Sequence, residues 1–145
     1  MIIEVKPEKK GKMYYLASPY SNSDPLIKEQ RYLSVVYYGS LLTKMGYTLI
    51  EPIGMSVPAS QKFDLPDGYE FWKERDRLFI SRCDGIMVMQ MPGVDESVGV
   101  QDEIKYAKSL GLPVYTVVPY IDNSKLIFGQ DKDDPFELVG DYEYD

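Results

Sequence analysis

Four short apolar runs, MYYLAS (13–18), YTLIEP (47–52), DGIMVMQMP (84–92) and PVYTVVP (113–119), are separated each time by a stretch with helical character. Strands that alternate with helices in this way predict a parallel sheet with helices on both faces. The third run is almost continuously apolar, as expected of a strand covered on both sides. Between Pro25 and Met45, residues Leu33, Val36, Tyr37, Leu41 and Met45 recur at spacings of three and four. That spacing predicts a helix with these residues toward the core. Pro25 suits its first turn and Gly46 its stop. Residues 69–83 predict a second helix with Phe71, Trp72, Leu78 and Phe79 on its apolar face. Residues 98–110 predict a third, ended by Gly111. Residues 52–68, broken by prolines and glycines, read as a long loop. The expected fold class is α/β, a flavodoxin-like parallel sheet of four to five strands. Ligands on such sheets sit outside the carboxyl ends of the strands. The loops at 18–25, 52–68 and 91–99 are therefore the candidate site.

Composition narrows the function. The chain has 145 residues, enough for one domain with a proper core. It contains no His, so imidazole acid–base chemistry is excluded and most zinc sites with it. Cys83 is the only cysteine, so no internal disulfide forms and a reducing cytoplasm is expected. No apolar run is long enough for a membrane helix, and residues 1–12 lack a secretory pattern. The net charge is −7, against binding to a nucleic-acid backbone. Nearly all of that charge belongs to residues 131–145, which hold seven acids and one lysine. The expected division is a basic arm at 1–12, a domain at 13–120 and a solvated acidic tail at 121–145.

Glu103 and Asp76 are the residues best suited to chemistry. Glu103 falls near the start of the third helix, where the positive end of the helix dipole favours an ionised carboxylate. A fixed carboxylate is a nucleophile toward an electron-poor carbon, and a second carboxyl serves as proton donor or binder; glycoside cleavage divides the labour in this way. Plainer roles fit the same positions. An acid near a helix start is more often a dipole partner, and Asp76, flanked by Arg75 and Arg77, suits a solvated ion pair. Tyr15 suits a strand core and Arg31 a helix surface.

The stretches YYLASPYS, WKERDRLFISRCDGIMV and SVGVQDEIKYAKSLGLPV, spanning residues 13–118, resemble the nucleoside 2-deoxyribosyltransferase-like superfamily. Within it they are most similar to small bacterial and phage proteins grouped as DUF1937. Two branches of the superfamily, the deoxyribosyltransferases and the 2'-deoxynucleoside 5'-phosphate N-hydrolases, share a pattern that falls on Gly99, Glu103, Ala107, Gly111 and Pro113. The resemblance implies Glu103 as nucleophile, Asp76 as the acid assisting at the base, and Tyr15 as the group positioning the nucleophile. It implies substrate contacts from Ser18, Ser21, Arg31, Ser97 and Gly99. Ser97 stands where transferases carry an aspartate and N-hydrolases a serine, which leans toward a 5'-monophosphate; the loop SPYSNS lacks the N-hydrolase arginine, which leans away.

The implied function is cleavage of the base–deoxyribose bond of a 2'-deoxynucleoside 5'-monophosphate, or transfer of its deoxyribose. The expected partner is that small deoxynucleotide or deoxynucleoside, with no nucleic acid, membrane, metal or cofactor. The resemblance also implies a homo-oligomer, with Tyr37, Tyr38 and Phe71 as candidate contacts. Two alternatives stay open: a non-catalytic nucleotide binder on the same fold, and a metal-dependent phosphoryl-transfer site using Asp84, Asp95 and Glu96.

Overall fold

A computed structural model describes residues 6–120, 125–130 and 137–142, with side chains through residue 118. Four strands run parallel in the order β2-β1-β3-β4: β1 (Met13–Ala17), β2 (Thr48–Ile50), β3 (Gly85–Met89) and β4 (Val114–Tyr120). This is the flavodoxin-like order. Two antiparallel strands, β5 (Lys125–Gln130) and β6 (Glu137–Tyr142), extend the sheet beyond β4. They arise inside the stretch expected to be a solvated tail; LIF in β5 and LV in β6 carry the apolar content that the surrounding acids mask. Residues 121–124, 131–136 and 143–145 of that stretch lie outside the described residues.

Alternation along the strands divides the core in two. Tyr14 and Leu16 of β1, with Met87 and Met89 of β3, face α1 (Pro25–Lys44) and its buried Val35, Tyr38, Leu41 and Leu42. Tyr15, Ala17, Ile86 and Val88 face the opposite side, where they pack with Ile80 and Cys83 at the end of α3 (Tyr69–Arg82) and with Val100 and Ala107 of α4 (Val98–Ser109). Residues 6–12 close the amino-terminal edge of the sheet. The hydroxyls of Tyr14 and Tyr47 donate to the carbonyls of Glu8 and Pro7, at 2.6 and 3.0 Å.

α1 begins and ends where expected. Asp24 caps it by accepting from the Leu26 amide, Pro25 fills its first position, and Gly46, at φ 99°, turns the chain out of the helix. Its buried face matches the expected one only in part: Leu41 and Met45 are buried. Leu33, Val36 and Tyr37 are exposed by 55, 39 and 47%, while Val35, Tyr38 and Leu42 are buried. α1 is apolar around most of its circumference, so spacings of three and four fit two stripes equally well. α3 departs similarly: Phe71 and Leu78 are exposed, and Asp76 and Ile80 are buried.

The expected loop at 52–68 is mostly helix. α2 spans Pro52–Phe63. Its first position is a proline, which needs no amide partner there. Glu51 accepts from the Gly54 amide with both carboxylate oxygens, at 3.0 and 2.8 Å, and this cap supplies the start signal. Pro58 removes one helical hydrogen bond without ending the helix. Asp64, at φ 56°, ends it.

Leu42→Ala and Leu33→Ala separate the two stripes of α1. Truncating the fully buried Leu42 is expected to cost roughly 2–5 kcal/mol in chemical denaturation. The same change at exposed Leu33 is expected to cost less than about 0.5 kcal/mol.

Candidate active site

The carboxyl end of β1, the end of the loop after β3, the start of α4, one side of α3 and the inner face of α2 surround a cavity of about 310 Å³. The parallel sheet sends the chain out of β1 and β3 at the same edge, which brings distant parts of the sequence together. Tyr15, Ser18, Ser21, Asp76, Ser97, Gly99 and Glu103 all line this cavity.

Its polar centre is a hydrogen bond from the Tyr15 hydroxyl to Glu103 Oε2, with both residues buried. Tyr15 lies on the α3/α4 side of β1, and its packing fixes the ring. Burial, the negative charges of Glu103 and Asp76, and the bond to Glu103 hold its proton on well above the ordinary tyrosine range, so Tyr15 is a donor at any working pH. Glu103 is the sixth residue of α4, beyond the first turn. The expectation that a helix dipole keeps it ionised is corrected here, because the dipole's effect fades within that turn. Burial dominates instead and pushes the Glu103 carboxyl up to about 8; the Tyr15 bond opposes this, and the negative charges of Asp76 and Asp102 reinforce it.

Asp76 is also buried rather than solvated. Burial raises its pKa, and Arg75 and the Tyr15 hydroxyl pull the other way. Arg75 donates to Asp76 Oδ1 from Nε at 3.0 Å and Nη2 at 2.8 Å, and to Ser56 Oγ of α2 at 2.7 Å. Arg77 turns away from Asp76 and pairs with Asp102 at 2.8 and 3.0 Å. Asp102 also accepts from the Tyr69 hydroxyl at 2.5 Å. That network holds the Tyr69 ring over Gly99, where a Cβ would stand 3.1 Å from the ring. A glycine here thus permits close approach between the start of α3 and the start of α4.

Ser97 caps α4, its Oγ accepting from the Val100 amide at 3.2 Å. Ser18 Oγ is buried without a hydrogen-bond partner, and an unpaired buried hydroxyl costs about 1–3 kcal/mol until something binds it. Arg31 is not at the cavity wall. Its guanidinium donates to the carbonyls of Ser21 at 2.8 Å and Pro92 at 3.4 Å, tying the loop after β1 to the loop after β3. The acids of the metal alternative are not brought together: Asp84 accepts from the Met13 amide at the amino end of the sheet, while Asp95 and Glu96 follow the carboxyl end of β3.

Sequence reasoning placed residues 52–68 at the site, but as loop, so the helix that brings Ser56 and Val57 to the wall was hidden. Trp72 was assigned to the core; it lines the cavity, with its indole N–H donating to the Pro66 carbonyl at 2.8 Å.

The model of the family described as Domain of unknown function (DUF1937) matches residues 12–118. The chain belongs to this family. No curated protein matches this DUF1937 chain. A solved structure of the 2-deoxyribosyltransferase from the psychrotolerant bacterium Bacillus psychrosaccharolyticus is similar to it, with a TM-score of 0.54 and 23% identity over 74% of this chain and 72% of that one. The DUF1937 chain therefore has the fold of that protein. Among the described residues, no helix is long and apolar enough to cross a membrane.

Glu103 gives the site a pH signature. Its carboxyl is raised in the fold, so its neutral form is the one the fold tolerates. Its stabilising contribution is complete below the ordinary carboxylate range and is lost as pH rises toward about 8. Glu103→Gln is expected to match the wild type in melting temperature near pH 4 and to exceed it by several degrees near pH 9. Melting curves at both pH values check this; parallel curves would show that burial does not oppose the charge.

Proposed function

We propose that this cavity cleaves the N-glycosidic bond of a 2'-deoxynucleoside through a covalent intermediate on Glu103. The observation that carries the reading is the buried Tyr15–Glu103 pair, with Asp76 beside it, in a cavity on a deoxyribosyltransferase fold. Ionised Glu103 attacks the anomeric carbon, and the bond to the base nitrogen breaks with its electron pair leaving on the base. Water then displaces Glu103, or a second base does so and accepts the sugar. Tyr15 supplies the hydrogen bond that favours the ionised nucleophile. A 2'-deoxy sugar suits this chemistry, since no electron-withdrawing hydroxyl opposes the positive charge developing on the ring.

The cavity wall favours the free nucleoside. It carries Asp67, Asp76, Glu96 and Glu103 and no Lys or Arg; Lys28 and Arg75 are already paired with Asp67 and Asp76, so a dianionic phosphate finds no unpaired cation among the lining residues. The 5'-monophosphate is the second reading. Ser97 at the N-cap of α4 favours it, because a helix amino end is a natural anion site, and the unpaired Ser18 hydroxyl offers a further donor.

Base release from each deoxynucleoside and each monophosphate, with and without an acceptor base, tests the reading. Glu103→Gln is expected to keep the fold and to lower the rate by at least ~10³-fold. In the wild type, kcat/KM is expected to rise with pH and level off above about 8, as Glu103 ionises. Asp76→Asn removes a neighbouring negative charge and is expected to move that rise to lower pH; Tyr15→Phe removes the opposing hydrogen bond and is expected to move it higher. Release at the wild-type rate by Glu103→Gln would refute the role of Glu103. Tight binding of a nucleotide without release would replace the enzyme with a binding protein.

A further inference from the structure

Arg75 forms an ion pair with Asp76, as its place in the sequence suggests, but does so at the cavity rather than in solvent. Consecutive helix residues point about 100° apart and do not ordinarily face each other. Arg75 nevertheless reaches sideways to Asp76, with both Nε and Nη2 on the single oxygen Oδ1. Its neighbours on α3 direct it there. The guanidinium lies 4.3 Å from the centre of the Trp72 ring, three residues before, and 5.4 Å from that of Phe79, four residues after. Stacking of this kind is a property of the planar guanidinium. The same Nη2 also donates to Ser56 Oγ on α2. One side chain thus joins two walls of the cavity and contacts a carboxyl buried in it.

The groups around Asp76 are few. Arg75 faces it from α3, the Tyr15 hydroxyl from β1 and Glu103 from α4, while α2 contributes only the Ser56 hydroxyl, through Arg75. Arg75 is the single cation among them. Glu103 is buried in the same cavity with no guanidinium against it. Two carboxyls of like burial are therefore given opposite partners, the arrangement by which a site assigns different protonation states to two acids.

We propose that Arg75 is a positioning residue that holds Asp76 as an ionised hydrogen-bond acceptor and anchors it to α2, so that Asp76 receives an N–H from the bound base instead of donating a proton to it. This deepens the deoxynucleoside reading and rests on it for the identity of the bound group. Of the two expected roles for the second carboxyl, proton donor or binder, it assigns Asp76 the second. The departing base then takes its proton from solvent, and Asp76 orients the base through its N–H edge. An acceptor held by a fixed fork selects ring faces that present N–H toward α3.

The test measures Asp76 itself. Protein labelled with 13C at aspartate carboxyls is titrated by NMR in the Glu103→Gln background, where Asp76 titrates without a coupled carboxyl; the Asp76→Asn spectrum assigns the resonance. Arg75→Met and Arg75→Gln are each expected to raise the Asp76 midpoint by about one pH unit or more. Arg75→Lys keeps a cation without the fork, is expected to fall between, and preserves the comparison if the neutral variants do not fold. Midpoints that coincide in all Arg75 variants and the parent would overturn the proposal, since a purely structural arginine would lower stability without moving a titration. The measurement needs no turnover, so a failure to observe base release counts against the glycosidase reading and leaves this result to stand or fall separately.

Discussion

Two carboxyls buried against one tyrosine hydroxyl set the terms for the rest of this molecule. Burying a charge is unfavourable unless it is paired or hydrogen-bonded, and an unpaired acid takes up a proton instead. Glu103 follows the second course and is pushed up to about 8. Burial raises Asp76 as well, but there a guanidinium opposes the rise. The two acids sit close enough to raise one another's energy, yet the surroundings separate their behaviour. A site built in this way is less stable than an apolar core of the same volume, and the loss is the kind that functional sites tolerate.

The fold supplies the rigidity that such a centre requires. Tyr15 is locked in the middle of a strand with hydrogen-bonded neighbours on both sides. Glu103 projects from a helix packed on β3 through Val100 and Ala107. The remaining wall comes from α2 and the start of α3, held by side chains rather than by the sheet. The Pro66 carbonyl receives both the Trp72 indole and the Ser60 hydroxyl, at 2.8 and 3.0 Å. Lys28 of α1 pairs with Asp67 in the short segment between those helices. Arg31 performs the corresponding task across the cavity mouth, joining the loops after β1 and β3 by their carbonyls. The family resemblance implied a substrate contact for Arg31; in the structure it lies off the cavity wall and braces the two loops.

The parallel core was legible because apolar runs of strand length alternated with helical spacing, and because Pro25 and Gly46 marked the ends of α1. The position of the site followed from topology alone. The identity of Tyr15, Asp76 and Glu103 did not: spacing could not distinguish them from a core tyrosine, a surface ion pair and a helix-start acid, and family resemblance singled them out. Other features were hidden for physical reasons. α2 opens on proline and contains another, so local signals spelled loop where a Glu51 cap and burial of Val57 sustain a helix. α1 is apolar on two sides, so periodicity named Leu33 and Tyr37 where packing chose Val35 and Leu42. Strands β5 and β6 lie within a charged stretch whose composition overrode its short apolar segments. Arg75 and Asp76 form an ion pair that their adjacency suggested, but it lies in the site rather than in solvent, which adjacency does not reveal.

Trapping the covalent intermediate tests the account most directly. Protein mixed with a deoxynucleoside and quenched in acid within the first turnover, then digested and analysed by mass spectrometry, reports where the sugar resides. The account predicts a single deoxyribosyl group on the peptide bearing Glu103, present when base has been released and absent from Glu103→Gln. Base release with the sugar attached to another residue, or from Glu103→Gln at the wild-type rate, would contradict it.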